Sequence, residues 1–438
     1  MEQALQFIYH TKKTSDELSE ILLGYINELK NIADQDSGEY LSHEHLIRLP
    51  RDSKIFIDAQ SVADIYKTDH LKYIVVIGIG GSNLGAKAVY EALRGQLDYL
   101  DGEYPEMLFA DTISGQLLSD MIALFERTLT SSDQIVLNLV SKSGETTESI
   151  VNFELLYHAL LQRFPNIATR VVVTTDFGSK LWKESERLLF RTLLIPKEVG
   201  GRYSIFSSVG IFPLLLAGID VTALRIGASK MLSLCVGEDV EGNHALQSAL
   251  AMYDAMKDGA TMQNIFLFNP EMESLGKWER QLIGESMGKE KDVAGNVIHA
   301  GITPIVSIGS TDLHSMAQLY FGGPKDKFTM LVYAPMGDSL HLQEEGIFHG
   351  LVEGLHGKTP NDVMQAIIGG VRAAYEKNSL PFMEVQFEKL SERSIGAYLM
   401  WRMVTVMYLA KLLHVNAFDQ PNVEDYKETT RQLLLGQV

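Results

Sequence analysis

The chain has 438 residues, room for two or three domain-sized units, and its 46% hydrophobic and 21% charged residues are the mix of a soluble globular protein. A formal net charge of -18 argues against nucleic acid and an acidic membrane surface as partners, since both call for clustered cations, and it requires that any anionic ligand be met by a local group of donors. One cysteine, Cys235, excludes an internal disulfide and reads as a small buried hydrophobe in a reducing compartment.

The N-terminal MEQALQFIYHTKK lacks the charged-then-apolar order of a signal peptide. Of the two long apolar runs, Ser208 to Ile219 is too short for a bilayer, and Tyr398 to Val415 carries Arg402 and Lys411. Both are expected as core elements of a soluble, cytoplasmic protein. Leu18, Ile21, Leu22, Tyr25 and Ile26 recur at helical spacing, so residues 1–55 read as a helical N-terminal extension. From Tyr73 the texture changes to short β-branched runs at 73–77, 107–110, 134–140, 170–175 and 191–195, with helix-length stretches such as 85–93 and 147–162 between them. A second series follows at 264–268, 304–308 and 328–333. The alternation predicts an α/β chain of two tandem doubly wound parallel-sheet domains, over 56–205 and 206–375. A helical C-terminal arm over 376–438, with Leu399, Met403, Val406, Met407 and Leu413 as apolar positions, completes the chain.

Six segments carry chemistry. Strand 73–77 runs into Gly78-Ile79-Gly80-Gly81-Ser82-Asn83-Leu84-Gly85, at the strand-to-helix turn where doubly wound sheets bind ligands. Asn83 stands where a dinucleotide fingerprint needs its third glycine, which removes a nicotinamide oxidoreductase, and no Walker lysine is present. A small anion or sugar fits; a tight turn without a ligand is the alternative. Strand 134–140 ends in Ser141-Lys142-Ser143-Gly144-Glu145-Thr146, whose hydroxyls and backbone N–H groups suit the oxygens of a phosphate monoester, although Thr146 and Ser149 are also ordinary helix caps. In Gly200-Gly201-Arg202 the glycines allow close approach beside a fixed guanidinium able to stabilise an oxyanion; a surface ion pair would not need them.

Glu285 and Lys289 are four apart, the spacing of a helical ion pair, yet Gly284 and Gly288 weaken that helix with no structural return unless a ligand lies against it. If Asp312 caps a helix, Leu313, Met316, Ala317 and Tyr320 form its apolar face, and His314 and Gln318 share another. Lys427, in Asn416-Ala417-Phe418-Asp419-Gln420-Pro421-Asn422-Val423-Glu424-Asp425-Tyr426-Lys427, reads by itself as a solvated helix lysine. His43-Glu44-His45 lacks the HExxH spacing of a zinc helix, and the remaining histidines form no ligand cluster.

GIGGSNLG followed by SKSGETTES resembles the paired sugar-phosphate-binding segments of the phosphoglucose isomerase family, and GGRYS, QLIGESMGK, GSTDLHSMAQLY and NAFDQPNVEDYK match that family in order, from about Tyr73 to Lys427. The resemblance implies that the two domains are sugar-isomerase (SIS-type) domains. The implied activity is the interconversion of D-glucose 6-phosphate and D-fructose 6-phosphate through a cis-enediol(ate), in glycolysis and gluconeogenesis, with no cofactor and no metal. Glu285 would be the base, Arg202 would stabilise the enediolate, and Lys427 would be the active-site lysine of the C-terminal arm. His314 would assist ring opening from the neighbouring subunit of a homodimer. Ser141, Lys142, Ser143 and Thr146 would hold the phosphate, with Gly81, Ser82, Gly201 and Gln420 on the sugar. Two positions depart from the family. Glu145 brings a carboxylate into the phosphate loop and is expected to turn to solvent; Asn422 replaces a glycine, and a turn with φ > 0 is expected to survive. A sugar-phosphate-sensing regulator would keep the hydroxyls without needing Glu285, His314 and Lys427; an isomerase of mannose 6-phosphate would share the base chemistry.

Overall fold

The structure is a computed structural model that describes residues 4–11, 16–35, 38–95, 105–237, 239–337, 339–343, 347–348 and 351–437. Its strands, in chain order, are β1 (Leu5–Tyr9), β2 (Tyr73–Ile77), β3 (Glu106–Ala110), β4 (Ile135–Val140), β5 (Val171–Asp176), β6 (Arg191–Ile195), β7 (Met262–Leu267), β8 (Lys289–Lys291), β9 (Val297–Ala300), β10 (Thr303–Ile308), β11 (Lys327–Tyr333) and β12 (Phe382–Phe387).

The first sheet has the order β3-β2-β4-β5-β6 and is parallel throughout. Strands β2 and β4 are buried at every position. Ile74, Val76, Val136 and Val140 face one layer, which includes Ala88 and Val89 of the helix Leu84–Arg94. Val75, Ile77, Leu137 and Leu139 face the other, which includes Phe153 and Leu156 of the helix Thr147–Arg163. Both faces are covered, and that is why these strands read as unbroken apolar runs. Truncating one of these side chains, as in Leu137→Ala, removes about 2–5 kcal/mol of stability.

The second sheet has the order β1-β12-β11-β7-β10. Four of its strands are parallel, and β1 closes the edge antiparallel to β12, with Leu5 opposite Phe387. Two of these strands differ from the sequence reading. Residues 5–9 lie in the stretch read as helical, and β12 interrupts the start of the C-terminal arm. Both are too short for periodicity to separate strand from helix. The helices expected in those stretches are present at Asp16–Ala33, Glu392–Leu412 and Glu424–Leu434. Leu22, Tyr25 and Ile26 are buried and Ile21 is exposed, while the side chain of Leu18 lies outside the described residues.

The two apolar runs are core helices. Ser208–Leu216 is wholly buried, and Glu392–Leu412 is buried from Ser394 to Ala410, where Arg402 pairs with Glu279, each fully enclosed. Cys235 is buried with a free thiol that burial pushes far up. No helix among the described residues is long and apolar enough to cross a membrane. The helix Glu273–Met287 packs against Leu84–Arg94 on one side and β10 on the other, and so joins the two sheets.

Candidate active site

Strands β2 and β4 are hydrogen-bonded neighbours, and the helices that follow them leave onto opposite faces of the sheet. The chain therefore parts above their carboxyl ends, the place where open α/β sheets accept ligands. Both loops singled out in the sequence lie there. Gly78 sits so close to the end of β4 that an added Cβ would stand 3.0 Å from the Val140 carbonyl oxygen.

The glycines at 81 and 201 answer to each other. A Cβ on Gly81 would overlap the Gly201 carbonyl carbon and the Arg202 nitrogen, and one on Gly201 would lie 3.4 Å from the Gly81 Cα. The glycine-rich loop and the Gly200-Gly201-Arg202 turn thus stack backbone on backbone, and the Ser204 hydroxyl donates to the Gly81 carbonyl at 3.2 Å. Close chain packing accounts for both glycines, and the contact carries the loop into the neighbourhood of Arg202.

Arg202 is 1% exposed and all five of its N–H donors are engaged. Nε donates to Ser286 Oγ at 2.8 Å, Nη1 to Glu285 Oε2 at 2.9 Å and to Gln420 Oε1 at 2.8 Å, and Nη2 to the carbonyls of Ala417 (2.6 Å) and Asp419 (3.2 Å). One planar group ties together the turn, the end of the helix Glu273–Met287 and the C-terminal segment 417–420. The second Glu285 oxygen accepts from Gln281 Nε2 at 2.9 Å. The same amide nitrogen would stand 2.9 Å from a Cβ on Gly80, where φ is +59°. Glu285 is accordingly held by two donors, at 35% side-chain exposure, beside the glycine-rich loop.

Lys289 does not pair with the Glu285 carboxylate. Its ammonium, nearly buried, donates to the Glu285 carbonyl at 2.8 Å and to the Asp419 carbonyl, with Asp419 Oδ1 3.0 Å away. Burial lowers its pKa, against the pull of Asp419.

In the hydroxyl loop, Ser141 is buried, and its Oγ lies 2.8 Å from Thr146 Oγ1 and accepts the Gly144 N–H at 3.1 Å. Thr146 occupies the cap position of Thr147–Arg163 without a side-chain capping bond, so the cap does not account for its hydroxyl. Ser149 lies inside that helix. Ser143 is exposed at the rim, Ser82 is half-buried, and burial depresses the pKa of the half-buried Lys142, against the pull of Asp176 and Glu198. Glu145 is turned outward onto Lys180. That lysine, and at longer range Arg431 of the helix Glu424–Leu434, hold its carboxyl below the usual range.

Two sequence candidates lie elsewhere. The single helix expected is two short ones: His314 is exposed on Thr311–Ser315, beyond the carboxyl end of β10, and Gln318 is exposed on Ala317–Gly322. Gly284 lies against Pro304 near the amino end of that strand, four residues and about 13 Å from Ile308 at the usual rise. Leu313, Met316 and Tyr320 pack inward as expected. Asp312 is not the cap; it lies within the helix, and its carboxylate accepts the Ile308 N–H at 2.7 Å. Lys427 lies on Glu424–Leu434, a helix with no buried residue, 2.8 Å from Glu424. Asn422 lies in the 3-10 turn Pro421–Val423 without positive φ, and its amide donates to Glu290 at 3.1 Å. Sequence reasoning passed over Gln281, Ser286 and Asp419 and read Lys289 only as a helical ion-pair partner of Glu285; a spacing of four residues from Glu285 was the available signal for Gln281 and Lys289. No group of three or more His, Cys, Asp and Glu side chains among the described residues is arranged to hold a metal ion.

Comparison with known proteins accords with this geometry. The family model described as phosphoglucose isomerase matches residues 59–435. A glucose-6-phosphate isomerase of Leptospira biflexa is 32% identical over 414 residues, covering 91% of this chain and 88% of that one. One from Methanocaldococcus jannaschii is 30% identical over 375 residues, covering 85% and 86%. Among solved structures, a hypothetical protein of Thermus thermophilus superposes with a TM-score of 0.82 at 28% identity, covering 98% of this chain and 99% of that one. A glucose-6-phosphate isomerase of Chlamydia trachomatis shares the fold, with a TM-score of 0.81 at 20% identity, covering 99% and 89%.

Proposed function

The chain belongs to the phosphoglucose isomerase family, and we propose from this premise how its own residues interconvert D-glucose 6-phosphate and D-fructose 6-phosphate. The reaction moves one hydrogen between adjacent carbons of the open-chain sugar, so the substrate is oxidised at one carbon and reduced at the next with no outside electron acceptor. Glu285 is the group that moves it. Its carboxylate takes the proton from C2 of the aldose and returns it to C1, with an enediolate between the two steps, while the hydroxyl proton passes from O2 to O1. The observation that carries this reading is the sharing of one Arg202 nitrogen by Glu285 and Gln420, 2.9 and 2.8 Å away. The buried guanidinium sets the carboxylate's position and supplies a fixed positive charge to the developing oxyanion. Gln420 gives its carbonyl to Arg202, and its amide N–H groups serve the sugar.

The phosphate belongs in the hydroxyl loop, held by Ser143, Thr146 and Ser141, by loop N–H groups and the start of Thr147–Arg163, and by the charge of Lys142. Gly81, Ser82 and Gly201 line the sugar side. That local cluster meets the requirement set by the net charge of -18. Lys427 shares its exposed helix with Arg431, whose charge reaches Glu145 of the same loop, and this supports Lys427 as the active-site lysine of the C-terminal arm. The distance of His314 from Glu285 within one chain supports a homodimer in which each site takes His314 from its partner, where the imidazole passes a proton to the ring oxygen during ring opening. The setting proposed is the cytoplasm.

A coupled assay on purified protein, from fructose 6-phosphate to glucose 6-phosphate, tests the reading. Turnover without added metal or nucleotide is expected, as is a loss of about 10²–10⁴-fold in Glu285→Gln. Undiminished turnover in that variant refutes Glu285 as the base.

A further inference from the structure

The segment Ala417–Gln420, which presents Gln420 to the site, has no helix or strand of its own. What keeps it in place is a set of buried donors aimed at its main chain: Arg202 on the carbonyls of Ala417 and Asp419, and Lys289 on the carbonyl of Asp419. Lys289 also reaches the Glu285 carbonyl at 2.8 Å, one of the last four carbonyls of the helix Glu273–Met287, which have no partner inside a helix. With Asp419 Oδ1 at 3.0 Å, each of the three ammonium donors has an acceptor.

We infer that Lys289 is a positioning residue for the isomerisation: its ammonium clasps the end of the Glu285 helix to the Gln420 segment, so that carboxylate and amide meet at the same nitrogen of Arg202. The inference rests on the assignment of Glu285 as the base. A lysine that is 6% exposed is a costly way to fill space, and an apolar side chain of equal length would fill the pocket without desolvating a charge. An apolar chain would not join the two elements. Without Lys289 the last turn is held to the segment through its Ser286 and Glu285 side chains alone, by Arg202 and the Tyr203 hydroxyl, with no tie on its main chain at Glu285, and a displacement of about 1 Å at a reacting group lowers turnover by about 100-fold. The charged groups around the clasp are Asp419 on the C-terminal segment, Arg202 on the turn and Glu285 on the helix. Asp419 is half-exposed and supplies the counter-charge.

The test is steady-state isomerisation by Lys289→Met, Lys289→Arg and Asp419→Ala beside the wild-type chain, with inhibition by 6-phosphogluconate as the measure of phosphate-end binding. The expected result is a kcat about 100-fold lower in Lys289→Met, with KM and inhibition changed less than about threefold, and partial recovery in Lys289→Arg. Asp419→Ala keeps the backbone acceptors and changes a half-exposed side chain, so it reads the clasp even where Lys289→Met fails to fold; kcat is expected to fall about fivefold to tenfold at unchanged KM. An active wild-type protein whose kcat is matched within twofold by a folded Lys289→Met, or by Asp419→Ala, overturns the inference. A wild-type protein without isomerase activity overturns the functional reading instead.

Discussion

Arg202 makes five hydrogen bonds to acceptors from two other segments, and only a planar fork can reach all of them at once. A lysine in its place keeps the charge but has three donors and no fixed plane. Arg202→Lys is therefore expected to lower kcat by about 10²-fold while KM for the sugar phosphate moves much less. A variant that loses affinity and keeps kcat would place Arg202 on the ground-state substrate. This scale also shows what a reader of the sequence could see. Arg202, Glu285 and Gln420 were legible because they stand inside motifs with glycines or an ordered family match. The partners of Gln281, Ser286 and Lys289 in the same segment were not, because they are a carboxylate one turn away, a guanidinium far along the chain and two backbone carbonyls, and a carbonyl leaves no mark on residue type. The glycines were legible for another reason than the one first given: Gly81 and Gly201 make room for each other's backbone.

At the scale of elements, the parallel strands other than β12 were readable within a residue or two because burial on both faces produces unbroken apolar runs, whereas Glu384 and Gln386 interrupt the run of β12. Strand β1 was not, since five residues show no decisive period and its partner β12 lies at the other end of the chain. Its docking is fastened by His10, which stacks on Phe382 and lies 2.8 Å from Glu384, a buried carboxylate also held by Arg372 and Tyr333. Burial raises the Glu384 pKa, but Arg372, Tyr333 and His10 together outweigh it, and the carboxyl lies below its usual range. A folded value below the unfolded one means that the stabilisation is complete above the unfolded value, about 4.3, and is lost as pH falls through the folded value. The melting temperature of the wild-type chain is thus expected to fall more steeply below about pH 4.3 than that of Glu384→Gln. Parallel melting profiles would show that this clasp does not couple β1 to pH.

At the scale of the whole molecule, no apolar pattern in the sequence says which faces meet a second copy, and His314 shows the consequence. Its helix was legible, but its distance from Glu285 became apparent only once β10 lay between them. If each site takes His314 from its partner, Glu285→Gln and His314→Ala dimers are each inactive, and a mixed dimer holds one intact site. Unfolding and refolding the two together is expected to restore about a quarter of wild-type activity, half the dimers being mixed with one working site each. A mixture no more active than its components would place His314 and Glu285 of one site in the same chain, or His314 outside catalysis.

The proposal that a single carboxylate carries the hydrogen between carbons is tested most directly by isotope exchange. In deuterated water, with 6-phosphogluconate binding checked in parallel, the wild-type protein is expected to place deuterium at C2 of glucose 6-phosphate, because the abstracted proton on Glu285 exchanges in part with solvent. Glu285→Gln is expected to bind 6-phosphogluconate and incorporate none. Incorporation by that variant at the wild-type rate would contradict the account.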